Sequence, residues 1–182
     1  MQNVYFYRHL NHSIMAQNDI VTGAGNQPDY SQKFTIFTDG SALNNKASAP
    51  AGSAVYIPSM KRLWSKSMLA TNNQAELEAI RYALWWFKEN AQQIGNIPDN
   101  TLYLFTDSAY SMNAISGKWK KLKENMPKIT VCRRLIDEIK DSASVSVVFI
   151  HVQAHTRKKD FISINNDIVD QEARKKASEM KE

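Results

Sequence analysis

A chain of 182 residues has room for one domain with a substantial core and an appendage. With 43% hydrophobic and 23% charged residues it has the composition of a globular protein in water, and no apolar run reaches membrane-spanning length, which excludes a membrane-embedded helical protein. The net charge of +5 leans towards an acidic partner, while the single cysteine, Cys132, excludes an internal disulfide and a cysteine-rich zinc site.

Residues 1–33 carry few charges, two glycines, a proline and several Asn and Gln, and only 4–7 reads as a strand. They are expected to form a partly ordered extension ahead of a domain spanning 34–182. Arg8, His9, Asn11 and His12 interrupt the first fifteen residues, which argues against a secretory signal and points to a cytoplasmic, reducing location.

The domain opens with a strand over 34–39, apolar and β-branched until it stops on Asp39-Gly40-Ser41. A loop rich in Ala, Ser and Asn leads to strands at 53–57 and 62–68, joined by a turn at Pro58-Ser59-Met60-Lys61. The clearest helix spans about 72–89: Thr71 with Gln74, and Asn73 with Glu76, offer capping pairs, and Leu77, Ile80, Ala83, Leu84 and Phe87 form its apolar stripe. Trp85 and Trp86 read as packing residues. A second apolar strand, 101–106, stops on Asp107-Ser108, as the first stops on Asp39-Gly40. A short helix from 108 to 115, a helix over 129–141 with Cys132 on its apolar face, a strand at 145–150 and a last helix over about 166–180 complete the chain. The expected fold is an α/β domain with a five-stranded mixed sheet, three antiparallel strands continued by two parallel ones, and helices on both faces.

Asp39 and Asp107 end two strands at equivalent points. If those strands lie side by side and parallel, about 4.8 Å apart, both carboxylates leave the same carboxyl edge of the sheet, where open α/β sheets hold ligands. Carboxylates so close repel unless a proton or cation lies between them, and a hard dication such as Mg²⁺ suits such oxygen ligands. Taken singly, each Asp is an ordinary turn residue. Glu76 in the first turn of its helix could equally be a capping residue, and Asp170, expected in the first turns of the last helix, could merely favour the helix dipole.

The blocks Thr38-Asp39-Gly40-Ser41, Thr71-Asn72-Asn73-Gln74-Ala75-Glu76-Leu77, Thr106-Asp107-Ser108, His155 and Asn166-Asp167-Ile168-Val169-Asp170 occur in an order and spacing that resembles the type 1 ribonuclease H family, over about 34–177. The resemblance implies an endonuclease that cuts the RNA strand of RNA–DNA hybrids, leaving 5′-phosphate and 3′-hydroxyl ends. It implies that Asp39, Glu76, Asp107 and Asp170 hold two Mg²⁺ ions, with Mn²⁺ a possible substitute, and that His155 assists proton movement or product release. It also implies that Gly40, Thr71 and Asn72 meet the nucleic acid, and that Lys118, Trp119, Lys120 and Lys121 resemble a basic protrusion that grips the DNA strand. A monomer with no membrane partner is expected. The alternatives are a nuclease of the same architecture acting on DNA junctions, and a hybrid-binding module with weak catalysis. The chain departs from the family in its glycine-free loop at 43–48, in Ala154 before the histidine, and in a longer run from His155 to Asp170.

Overall fold

The computed structural model describes residues 28–44, 46, 48–119, 124–153 and 158–180, together with the backbone of 14–17. Strands β1 (Ile14–Gln17), β2 (Phe34–Ala42), β3 (Pro50–Ile57) and β4 (Arg62–Leu69) precede helix α1 (Asn72–Ile94). Then follow β5 (Thr101–Thr106), α2 (Ala109–Ile115), α3 (Met126–Ala143), β6 (Ser146–His151) and α4 (Phe161–Glu179). The sheet order is β1-β6-β5-β2-β3-β4. The expected five strands are all present, β2, β3 and β4 antiparallel and β5 and β6 added parallel to β2. A sixth comes from the leader: β1 runs parallel to β6, with Ile14 opposite Val147, and covers an edge whose backbone groups would otherwise have no partner strand. The run at 4–7 lies outside the described residues.

The central strands are apolar on both faces because both faces are covered. Ile36, Leu104 and Phe149 point into one core with Leu77, Ile80 and Leu84 of α1 and Ile129, Ile136 and Ile139 of α3. Their neighbours Phe37, Phe105, Val148 and Ile150 point into the other, with Val169 and Ala173 of α4. Cys132 is buried in the first core, and burial pushes its thiol up to about 12, so it is an inert packing residue as expected. The tryptophans divide: Trp86 is buried as read from the sequence, whereas Trp85 is 42% exposed, because one step around the helix turns it from the sheet to the outer face.

Two helices begin earlier than their apolar spacing suggests. In α3, Pro127 occupies the first turn, where its missing N–H costs nothing. In α4 the Asp160 side chain accepts from Ser163 N at 2.8 Å and caps a helix that starts at Phe161, not near 166. The long run from His155 to Asp170 is thereby absorbed largely as helix, and Asp170 lies midway along α4, far from the first turn.

The seat of α4 on the sheet depends on Gly52 in β3. A Cβ at that position would stand 2.2 Å from the Ala173 carbonyl oxygen and 2.6 Å from Lys176 Cβ. Gly52→Ala must therefore lift α4, and it is expected to lower stability by roughly 1–3 kcal/mol. An unchanged urea midpoint would show that the helix is not seated this closely.

Candidate active site

Strand register brings the first two acids together. Phe37 lies opposite Phe105 and Thr38 opposite Thr106 in the parallel pair β2–β5, so the next residue on each chain is Asp39 and Asp107. The register is held by packing and by a hydrogen bond: the two phenyl rings stack with centroids 4.5 Å apart, and Thr38 Oγ1 donates to the Phe105 carbonyl at 3.0 Å. A slip of one residue would send one acid to the opposite face. Asp107 sits in the bend after β5, its carbonyl accepting from Ala109 N at 3.1 Å and from His151 Nε2, at the end of β6, also at 3.1 Å. That histidine contact joins two segments 44 residues apart and has no local sequence signal.

Glu76 lies at the start of the second turn of α1, one step past the first turn expected from the sequence, because Thr71 caps a helix that begins at Asn72; this end of α1 rests directly on β2. A Cβ on Gly40 would stand 2.1 Å from Glu76 N, so only glycine allows the approach. Asn72 Oδ1 accepts from Ala42 N at 3.1 Å, and Ser53 Oγ donates to the Ala75 carbonyl at 2.7 Å, tying the same end to β2 and β3. The capping box is formed by Thr71 and Gln74. Glu76 is therefore not spent on capping, and its buried Oε2 has no hydrogen-bond partner among the described residues.

Each of Asp39, Glu76 and Asp107 offers an oxygen within 4.8 Å of the other two. Burial, then the charges of Asp107 and Asp170, push the Asp39 carboxyl up to about 8. Burial, then Asp39 and Asp107, hold Glu76 well above the usual carboxylate range. Two carboxyls that resist ionisation, one with an orphaned oxygen, stand beside a third; an all-oxygen donor set of this kind fits a hard dication such as Mg²⁺.

The other sequence-derived candidates fall into four groups. Asp170 is near enough for its charge to raise Asp39, but its Oδ1 accepts from Arg174 Nε at 2.8 Å and it stands outside the close trio. Gly40, Thr71 and Asn72 line the junction of β2 and α1, where Thr71 Oγ1 accepts from Gln74 N and Asn72 tethers β2. Lys118 and Trp119 are exposed, the indole meeting the Tyr110 ring edge-on at 5.8 Å. His155, Lys120 and Lys121 lie outside the described residues.

Sequence reading missed Glu78, two residues beyond Glu76. It is buried, yet Arg81 binds it through two hydrogen bonds, Lys128 Nζ lies at 3.0 Å and Lys66 Nζ at 3.7 Å. Burial alone would raise its carboxyl, but hydrogen bonds from Arg81 and Lys128 outweigh that and hold it at about 2. The Arg at i+3 is a legible signal; the lysines, from β4 and α3, are not.

The RNase H family model matches residues 31–178. The chain belongs to the RNase H family. It is 35% identical over 91 residues to a Ribonuclease H of Chlorobium phaeobacteroides (strain BS1), covering 50% of this chain and 56% of the relative. It is 36% identical over 87 residues to a Ribonuclease H of Campylobacter curvus (strain 525.92), covering 46% and 50%. The alignments thus span about half the length of these curated relatives. Among solved structures, LC11-RNase H1, isolated from compost by a metagenomic approach, superposes with a TM-score of 0.59 at 24% identity, over 82% of this chain and 99% of that one. The RNase H1 of the archaeon Halobacterium salinarum NRC-1 does so with a TM-score of 0.53 at 21% identity, over 81% and 98%. These two likenesses establish the RNase H fold.

The acid trio has a measurable cost. Because the folded Asp39 value, about 8, lies above its ordinary 3.8, the unfolded chain binds fewer protons between those values. The contribution of this carboxyl to stability without metal is then fully present below about pH 4 and is lost as pH rises towards 8. Asp107→Asn removes one repelling charge and is expected to stabilise the protein in EDTA by on the order of 1 kcal/mol at pH 8, and by less at pH 5. A variant less stable than wild type at pH 8 would refute this.

Proposed function

We propose that this chain is an endonuclease that hydrolyses the RNA strand of RNA–DNA hybrids, leaving 5′-phosphate and 3′-hydroxyl ends, through a domain spanning 34–182 that acts as a monomer. The observation that carries the reading is the trio Asp39, Glu76 and Asp107, two of them buried and the third half-buried, whose oxygens converge within 4.8 Å. Family membership supports it, as does a structural neighbour, LC11-RNase H1 in complex with an RNA/DNA hybrid, at a TM-score of 0.60 and 22% identity over 82% of this chain and all of that one.

In this reading Asp39, Glu76, Asp107 and Asp170 hold two Mg²⁺ ions. Bound there, such ions supply Lewis acidity that lowers the pKa of a water and offsets charge on the attacking and leaving oxygens. The protein contributes position: the β2–β5 register fixes Asp39 against Asp107, and the Gly40–Glu76 contact fixes α1 against both. Asp170 joins by giving up Arg174, an exchange favoured by a nearby dication over a surface ion pair. His155 exchanges protons with the leaving oxygen or with solvent, as an imidazole side chain is able to do near neutral pH. Gly40, Thr71 and Asn72 meet the sugar–phosphate chain at the minor groove, where 2′-hydroxyls distinguish RNA. Lys118, Trp119, Lys120 and Lys121 hold phosphates and a sugar of the DNA strand.

The test is incubation with labelled hybrid, duplex RNA, duplex DNA and a four-way DNA junction, each with Mg²⁺ and with EDTA. Only hybrid with Mg²⁺ should be cut, and in its RNA strand. Asp39→Asn and Asp170→Asn should each lower the rate by at least about 100-fold. Cutting of the junction in preference to hybrid would assign a different nuclease, and hybrid binding without cutting would assign a binding module.

A further inference from the structure

We propose that the outer face of α1 carries a second nucleic-acid contact surface, built from Lys66, Arg81 and Lys128 around Glu78 and continued by the exposed ring of Trp85. It takes the sugar–phosphate backbone of the bound hybrid, and so rests on the nuclease reading.

The first observation is a surplus of charge. Arg81 satisfies both oxygens of Glu78, Nη2 to Oε1 at 2.8 Å and Nε to Oε2 at 3.0 Å. Lys128 adds a hydrogen bond to Oε2 at 3.0 Å and Lys66 Nζ stands 3.7 Å from Oε1, so the cluster holds three cations against one anion. A buried ion pair is a weak source of net stability, so the additional lysines are not explained by holding the fold. Their side chains remain reachable: Lys66 is 54% exposed, Lys128 36% and Arg81 33%. Glu78 acts as a fixed internal anion that orders long cationic side chains in advance, lowering the entropy lost when they meet phosphate.

The second observation is where the cluster lies. Two residues along a helix turn about 200°, so Glu78 leaves α1 on the side away from Glu76. Lys66 stands opposite Ser53, which stands opposite Gly40, so the lysine is level with the acid trio along the sheet. Lys128 comes from the first turn of α3. The cations are therefore about one helix diameter, roughly 10 Å, from the acids. A duplex carries one charge per about 1.7 Å of its axis, so it cannot rest on the trio without bringing further phosphates within that range.

The third observation is aromatic. Trp64 of β4 stacks on Tyr82 at 3.7 Å and 8°, and Trp85 leans on Tyr82 at 5.4 Å with 42% of its surface exposed. Glu78, Arg81, Tyr82 and Trp85 follow one another at helical spacing along a single stripe. Cations beside a supported, exposed indole are the combination that tracks a nucleic-acid backbone.

The experiment is fluorescence anisotropy of a labelled hybrid in EDTA, where cutting cannot occur, across a series of KCl concentrations. In Lys66→Gln/Lys128→Gln, Glu78 keeps its Arg81 partner, so the fold is retained, as a melting curve verifies. The slope of log Kd against log salt should become shallower by about 1.5–2, while Glu78→Gln, which releases the cations from their internal anion, should steepen it and tighten binding several-fold. Slopes equal to wild type in both variants, with hybrid still bound, would overturn the surface and leave the nuclease reading intact. Failure of the wild-type protein to bind hybrid at low salt would overturn both.

Discussion

The mutual repulsion of three clustered carboxyls, two of them buried, is the constraint on which the rest of this molecule turns. Asp39, Glu76 and Asp107 would relax apart if any of the elements carrying them could move, so each is anchored by contacts that do not involve the acids themselves. The stacked pair Phe37–Phe105 and the Thr38 hydroxyl hold β2 in register with β5. The absent side chain of Gly40, the Asn72 amide and the Ser53 hydroxyl hold α1 against β2 and β3. The site is held together because packing opposes the repulsion among its acids, and the resulting set of oxygen donors is of the kind that suits a hard cation.

Glu76 and Glu78 show how little the residue type alone decides. They occupy the same helix two positions apart, and both are about 95% buried. Glu76 faces two other acids and is held above the usual range, whereas Glu78 faces Arg81, Lys128 and Lys66 and is held at about 2. One keeps an oxygen with no hydrogen-bond partner among the described residues, and the other is already paired with cations. Between them α1 divides an anionic pocket from a cationic surface, a polarity that suits a ligand whose phosphates need both metal and ammonium partners.

The remaining elements position this pair of faces. The leader strand β1 closes the β6 edge, and Gly52 lets α4 settle on β3 so that Asp170 comes within electrostatic reach of Asp39. The Arg174 partner of Asp170 sets the fourth acid apart from the three. The close acid trio is thus a property of the sheet and α1, and the place of the fourth acid a property of how α4 is seated.

Much of this was legible before any coordinates. Apolar runs ending on Asp39 and Asp107, the Thr71–Gln74 cap and the stripe of α1 are local patterns, and local patterns are what propensity and periodicity encode. The start of α4 is hidden in the sequence by the polar stretch around its Asp160 cap, and the expectation that helix aromatics pack holds for Trp86 but only in part for Trp85, which leans on Tyr82 with 42% of its surface exposed. The partners of Glu78, the His151 contact with the Asp107 carbonyl and the distances among the acids were not legible at all. They join residues that only β-sheet register and helix packing bring together. The sequence by itself determined which side chains could carry charge and at which element ends they would stand. Tertiary structure decided which of those charges face each other across a few ångströms of low-dielectric interior, and hence whether a carboxyl awaits a cation or already has one.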